Sequence, residues 1–251
     1  MRTAAFRSRV TRRDKLIGTF VKIPEVTVIE VLALSGLDFV CLDAEHVAFD
    51  RARLDVCLAM CRALDLPALV RIPGPTAVHV LQALDAGAVG VVVPHVTSAA
   101  MASDIVRAAH FGAGGRGFAG STRWAGFATR AMSEVLDRDA ETVVVAQIED
   151  PEGVDAVAEI AAVPGIDALF AGPADLTVGY GRRALGSPEL AEALQRIGAA
   201  CKAAGKCYAT WVPDVERAQE WQAHGITLFV VGSDHGFLRA GAAAAALRLQ
   251  P

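Results

Sequence analysis

The sequence predicts a single-domain (β/α)8 TIM barrel of the α/β class, and three observations carry that reading. Short apolar, β-branched runs alternate with longer Ala-rich segments of helical spacing, the rhythm of βαβ units around a parallel sheet. The 251 residues are 53% hydrophobic but only 6% aromatic, so the core is Ala, Val and Leu, which suits barrel interiors and helix–strand seams. Most of the runs are apolar almost throughout, as strands buried on both faces must be.

The elements follow in order. Residues 1–15 read as a basic N-terminal arm, MRTAAFRSRVTRR being arginine-rich and acid-free. Such an end is expected to fray, leaving 16–251 as the barrel. The expected strands are 16–22, 37–42, 67–72, 88–94, 142–148, 167–171, 206–210 and 227–232. The expected helices are 26–35, 52–64, 75–86, 98–110, 151–162, 188–204, 214–224 and 236–249. Several open on Pro or after Asp or Ser and several stop at Gly, which is helix start and stop chemistry. The long interruption is 95–141, where a helix runs into FGAGGRGFAGSTRWAGF. An insertion of that length in a compact barrel is expected to be functional.

Composition excludes some partners. The formal charge is −4 and no block of like charge follows Arg13, so nucleic acid is not expected. No apolar run reaches the roughly 18 residues that span a bilayer, so no membrane is expected either. The five cysteines are odd in number, lack C-x-x-C spacing and sit in apolar segments; reduced thiols in a cytoplasm are the expectation.

In such a barrel the chemistry gathers at the carboxyl ends of the strands, and the polar residues fall there. The second run ends in Asp43, Ala44, Glu45 and His46, and the third in Arg71. The fifth ends in Gln147, Ile148, Glu149 and Asp150, the sixth in Gly172, Pro173, Ala174 and Asp175, and the eighth in Ser233, Asp234 and His235. Asp50 and Asp214 read instead as helix caps or surface charges. Glu149 and Asp175, on adjacent strand ends, offer hard oxygen ligands for Mg²⁺, Mn²⁺ or a similar divalent ion. A metal so held chelates a 2-oxo acid and stabilises the enolate formed when its C3–C4 bond breaks. Arg71 suits the developing oxyanion, and His46 paired with Asp43 suits proton transfer. Lys22 is the single lysine that ends a run, so a Schiff-base route is the weaker option.

At these residues the chain resembles the HpcH/HpaI aldolase family of metal-dependent class II pyruvate aldolases. The resemblance rests on GTFVKIP (18–24), LDAEH (42–46), VRIP (70–73), Val93-Pro94, GGRG (114–117), QIED (147–150) and GPADL (172–176). It implies reversible aldol cleavage of 4-hydroxy-2-oxo acids to pyruvate and an aldehyde, with Mg²⁺, Mn²⁺ or Co²⁺ on Glu149 and Asp175. It further implies Arg71 on the pyruvate carbonyl oxygen and His46 with Asp43 on the proton of the aldol hydroxyl, with Glu45 behind them. Backbone amides around Gly172, Pro173, Ala174 and Asp175 receive the carboxylate, and Gln147 lines the pocket. A homohexamer with exchanged C-terminal helices is a further implication. The family often has Gly where Ala44 stands and Trp near Phe20, and its loop differs from GSTRWAGF; the altered wall leaves the pyruvate half as the firmer expectation. The loop 114–127, through Arg123 and Trp124, is read as recognising the aldehyde half, with a packing loop at a subunit interface as the alternative.

Other readings stay open at this stage. Residues 112–117 and 115–120 match G-x-G-x-x-G, a dinucleotide motif only when it follows a strand; here it follows a helix. A CoA-ester lyase or thioesterase related to citrate lyase β would need basic contacts, for which Arg116, Arg123 and Arg130 are candidates. A binding protein with an inactive site is the third.

Overall fold

The computed structural model describes residues 1–248. Eight parallel strands close into a barrel in the order β1 to β8. They are β1 (Leu16–Val21), β2 (Phe39–Asp43), β3 (Ala68–Arg71), β4 (Gly90–Val93), β5 (Val143–Ile148), β6 (Ala168–Ala171), β7 (Cys207–Val212) and β8 (Leu228–Ser233). The helices are α1 (Arg2–Thr11), α2 (Val26–Ala33), α3 (Arg51–Ala63), α4 (Ala77–Asp85), α5 (Ala99–Ala109) and α6 (Met132–Asp137). After them come α7 (Pro151–Asp155), α8 (Val157–Ala162), α9 (Pro173–Gly179), α10 (Pro188–Ala204), α11 (Val215–Trp221) and α12 (Asp234–Leu247). Every expected strand is present. Expected helix 151–162 is two short helices, and Leu249, where the last one was expected to end, lies outside the described residues. Asp50 and Asp214 cap α3 and α11, accepting from the backbone N–H of Arg53 and Arg217.

Strand periodicity sorts the side chains into two cores. Val40, Leu42, Val70, Val144, Ala146 and Ile148 face the helices. Phe39, Cys41, Leu69, Val143, Val145, Phe170 and Ala209 fill the barrel. The inward set continues at the carboxyl end as Asp43, Arg71, Gln147, Gly172 and Trp211, each two residues past an inner core residue. The apolar interior thus ends in a polar floor. The inward position 18 takes glycine because a Cβ there would lie 2.6 Å from the Phe39 ring.

Two expectations need correcting. The basic arm is helix α1, and its Phe6 and Val10 are buried, Phe6 packing on Phe39 at 5.5 Å between ring centroids. They plug the amino end of the barrel. The arginines are matched by the barrel's own acids: Arg7 Nε donates to Asp167 Oδ1 at 3.0 Å and Arg9 Nη1 to Asp38 Oδ1 at 2.8 Å. Asp65 accepts from the N–H groups of Arg2 and Thr3, satisfying the open first turn. Charge composition suggested fraying because the matching acids lie far along the chain.

The second correction concerns the loop 114–127. It leaves α5 and leads, through α6, into β5, and a helix-to-strand connection in a barrel lies at the amino end. There Trp124 is buried with Ala125 and Val135. Arg116 is sandwiched between Phe111 and Trp124, 4.7 and 5.3 Å from the ring centroids, and donates to Asp85. Arg123 donates to the Ala86 carbonyl and, at 2.8 Å, to Asp55.

Candidate active site

A cavity of about 450 Å³ opens at the carboxyl end, lined by Phe20, Lys22, His46, Arg71, Gln147, Phe170, Gly172, Pro173, Ala174, Asp175, Trp211 and Ser233. Most residues expected at the site therefore meet here. Arg123 does not. It borders a different cavity with Asp55 and Phe127.

Register brings the first pair together, since Asp43 and Arg71 are partners on β2 and β3. Arg71 Nε and Nη2 donate to Asp43 Oδ1 and Oδ2 at 3.0 and 2.7 Å, a bidentate fork. Arg71 also lies 4.4 Å from the Phe20 ring centroid, and its Nη1 has no hydrogen-bond partner among the described residues. Asp43 is held well below the usual carboxylate range: burial opposes this, but the bonds and charges of Arg71 and Lys22 outweigh it. A planar cation locked on two sides by packing and pairing is preorganised for an oxyanion.

His46 is the expectation that changes. Its backbone N–H donates to Asp43 Oδ1 at 3.3 Å, but its imidazole does not pair with that carboxylate. Both Asp43 oxygens are engaged by Arg71, and Lys22 Nζ adds a third contact at 2.9 Å. The His46 ring lies instead 3.6 Å from Glu45 Oε2. Glu45 Oε2 is buried, accepts no hydrogen bond and stands 3.3 Å from Arg71 Nε. It is thus nearer the chemistry than a supporting role suggests.

Glu149 is buried where β5 ends. Its Oε1 accepts from the backbone N–H of His95 at 2.9 Å, and its Oε2 from Gln147 Nε2. Burial pushes its carboxyl up to about 7, Asp175 and Glu45 adding to the rise and His95 opposing it. Gly172 must be glycine, because a Cβ would lie 2.6 Å from Glu149 Cβ. Gln147 Oε1 is buried without a partner. Crowded oxygen donors without enough cations fit a hard divalent ion. Glu45, His95 and Glu149 each present one ligand atom within 4.8 Å of the others.

Residue pattern alone gives neither Lys22 nor His95 a part in the class II site. The signal is available for both: each immediately follows the exit of a strand, Lys22 after β1 and His95 after Val93-Pro94. Buried Asp234 accepts from the backbone N–H groups of Lys22 and Ile23, which pins the end of β1.

The alternative readings lose their footing in this geometry. The glycine motif follows α5 with no strand before it, a context that does not cradle a pyrophosphate. Arg116, Arg123 and Arg130 all sit at the amino end, each engaged by a carboxylate. Among the described residues no helix is long and apolar enough to cross a membrane.

Comparison with known proteins agrees. A hydroxypyruvate/pyruvate aldolase of Paraburkholderia phytofirmans is 33% identical over 242 residues, covering 92% of each chain. A 5-keto-4-deoxy-D-glucarate aldolase of Klebsiella pneumoniae is 32% identical, covering 93% of this chain and 92% of that protein. A crystal structure of an HpcH/HpaI aldolase/citrate lyase family protein from Burkholderia cenocepacia superposes with a TM-score of 0.94 at 31% identity, over 99% of this chain and all of that one. The family model for HpcH/HpaI aldolase/citrate lyase matches residues 16–240, and the chain belongs to that family.

Proposed function

We infer that this chain is a carbon–carbon lyase, a class II pyruvate aldolase that reversibly splits 4-hydroxy-2-oxo acids into pyruvate and an aldehyde. One observation carries the reading: the Arg71 fork, locked by Asp43 and Phe20, shares a cavity with Asp175 and Gln147, beside buried Glu149. Glu149 and Asp175 are the residues that hold the metal, Mg²⁺, Mn²⁺ or Co²⁺. Such an ion supplies a Lewis acid for the carboxylate and keto oxygens of a 2-oxo acid.

The chain's own groups do the rest. Backbone N–H groups around Gly172–Asp175, the start of α9, receive the pyruvate carboxylate, being without partners inside the helix. Gln147 fixes Glu149 and lines the cavity. His46 takes the proton of the C4 hydroxyl as the C3–C4 bond breaks, with the Glu45 carboxylate beside its ring. The bonding pair passes toward C2 and its oxygen, where Arg71 holds the negative charge. Return of that proton from His46 to C3 then gives pyruvate and leaves the imidazole neutral. Phe20, Phe170 and Trp211 wall the cavity against water. Association into a homohexamer is supported by α12, whose Phe237, Leu238 and Leu247 are exposed.

The test is pyruvate release from a panel of 4-hydroxy-2-oxo acids, with and without chelator. Release that stops on chelation and returns with a divalent ion is expected, and Glu149→Gln or Asp175→Asn abolishes it. Full activity under chelation, with borohydride trapping a pyruvate adduct on Lys22, overturns the mechanism.

A further inference from the structure

We propose that His95 is a ligand of the catalytic divalent ion, adding an imidazole nitrogen to the carboxylates and tilting this enzyme toward Co²⁺, Ni²⁺ or Zn²⁺ over Mg²⁺. The inference rests on the metal-dependent reading above and deepens it. His95 Nδ1 lies 2.9 Å from Asp150 Oδ2, and this contact, with Nδ1 as the donor, leaves Nε2 as a bare lone pair. A carboxylate on one ring nitrogen, orienting the other for a metal, is the usual outer arrangement of a ligating histidine. His95 Nε2 lies 3.9 Å from Glu45 Oε1, and Nδ1 lies 3.6 Å from Glu149 Oε1. One ligand atom each of Glu45, His95 and Glu149 lies within 4.8 Å of the others, and donors bound at 2.0–2.2 Å to one ion stand roughly 3–4 Å apart, so the ring and the acids must draw in slightly to share an ion.

The backbone supports the same role. His95 adopts φ 55°, a left-handed conformation uncommon for a residue with a side chain, and its N–H is tied to Glu149 Oε1. That tie brings the ring to the acids. The ring is otherwise largely exposed, and the Glu45, Glu149 and Asp150 carboxylates lie within 4 Å of it. Imidazole favours the borderline ions, whereas oxygen-only sets suit Mg²⁺, which gives the preference its direction.

The experiment loads purified enzyme with Mn²⁺ and reads nitrogen hyperfine coupling by pulsed electron paramagnetic resonance, beside Co²⁺ and Mg²⁺ titrations. His95→Gly suits the left-handed backbone, and His95→Asn is a second variant that tolerates it. Imidazole coupling present in the parent and absent from both variants is expected. Co²⁺ affinity falls tenfold or more in both, while Mg²⁺ affinity changes less than threefold. Asp150→Asn weakens Co²⁺ by about 10–100-fold, as loss of an orienting partner does. Coupling that survives in His95→Gly, with Co²⁺ affinity unchanged, overturns the proposal while Glu149→Gln still abolishes binding. If the parent binds no divalent ion at all, the metal-dependent reading falls with it.

Discussion

The two ends of this barrel draw on the same charged residues and use them in opposite ways. At the amino end each of several arginines meets a carboxylate: Arg7 with Asp167, Arg9 with Asp38, Arg116 with Asp85, Arg123 with Asp55 and Arg138 with Glu141. At the carboxyl end, among the described residues, Asp43, Glu45, Glu149, Asp150 and Asp175 face only Lys22 and Arg71 as permanent cations. One end is neutralised and the other keeps surplus negative charge in a cavity. A bound cation is what that surplus asks for, and catalysis is placed where charge is incompletely matched.

The largest effect expected from the contrast is at Arg71. In the proposed mechanism its fork is an oxyanion donor on the carboxyl rim, and loss of one such donor costs about 10²–10³ in rate. Arg71→Lys keeps the charge but cannot reproduce the bidentate bond to Asp43. It should slow exchange of the pyruvate methyl protons by at least a hundredfold, followed by NMR in deuterium oxide. Exchange at the parent rate breaks the assignment.

Next comes the unmatched charge itself, through pH. The Glu149 carboxyl is pushed to about 7 from an ordinary 4.5. Between those values the folded, metal-free chain holds a proton that the unfolded chain has released, so stability falls as pH rises through this window. At about 1.4 kcal/mol per pH unit, the loss approaches roughly 3 kcal/mol by pH 8. Glu149→Gln removes the titrating group. Denaturant unfolding under chelator should show the parent losing stability from pH 5 to pH 8 relative to the variant, and metal restoring the parent. Parallel curves would deny that the rim carries unmatched charge.

How much of this contrast is visible in the sequence depends on how far apart the partners lie. The strands are legible because each is a local apolar run, and the rim residues because they end those runs. Asp43, Arg71, Gln147, Glu149 and Asp175 follow from that rule alone. Pairing is not local. Asp43 looks like the partner of His46 three residues on, but the barrel places Arg71 directly opposite it on β3 and Lys22 at the end of β1. Helix α1 is hidden for the same reason, its acids being Asp38, Asp65 and Asp167. The misplacement of Arg123 is different, because the sequence order of helix, insertion and strand already assigns the insertion to the amino end. Length and glycine content mark the insertion as unusual but carry no information about which end of the barrel it occupies.

On the amino side, Arg116 tests whether a matched arginine is purely structural. Its side chain is fully buried, and Nε and Nη1 make no hydrogen bond, so the Phe111 and Trp124 faces are what hold it. Arg116→Ala removes that stacking and strands Asp85, which should cost about 2–3 kcal/mol. The melting temperature falls while kcat per folded enzyme stays at the parent value. A fall in kcat without a fall in melting temperature would join this end to the chemistry.

The smallest expected effect is at Arg123, and it bears most directly on the difference between the ends. Its partner Asp55 is half exposed, and a pair of that kind contributes about 1 kcal/mol or less. Arg123→Ala should therefore lower the melting temperature slightly. It should change kcat/KM for carboxylated and neutral aldehydes by the same factor, because the guanidinium is held by Ala86 and Asp55 at the end of the barrel away from the cavity. The measurement is a paired condensation assay, pyruvate with glyoxylate against pyruvate with a neutral aldehyde, run beside size-exclusion chromatography. A loss confined to the acidic aldehyde, at unchanged assembly size, would place Arg123 in a substrate site. Since its own barrel holds it at the opposite end, that site would have to belong to another copy of the chain, and the division between a structural and a catalytic end would then hold within one subunit but not across the assembly.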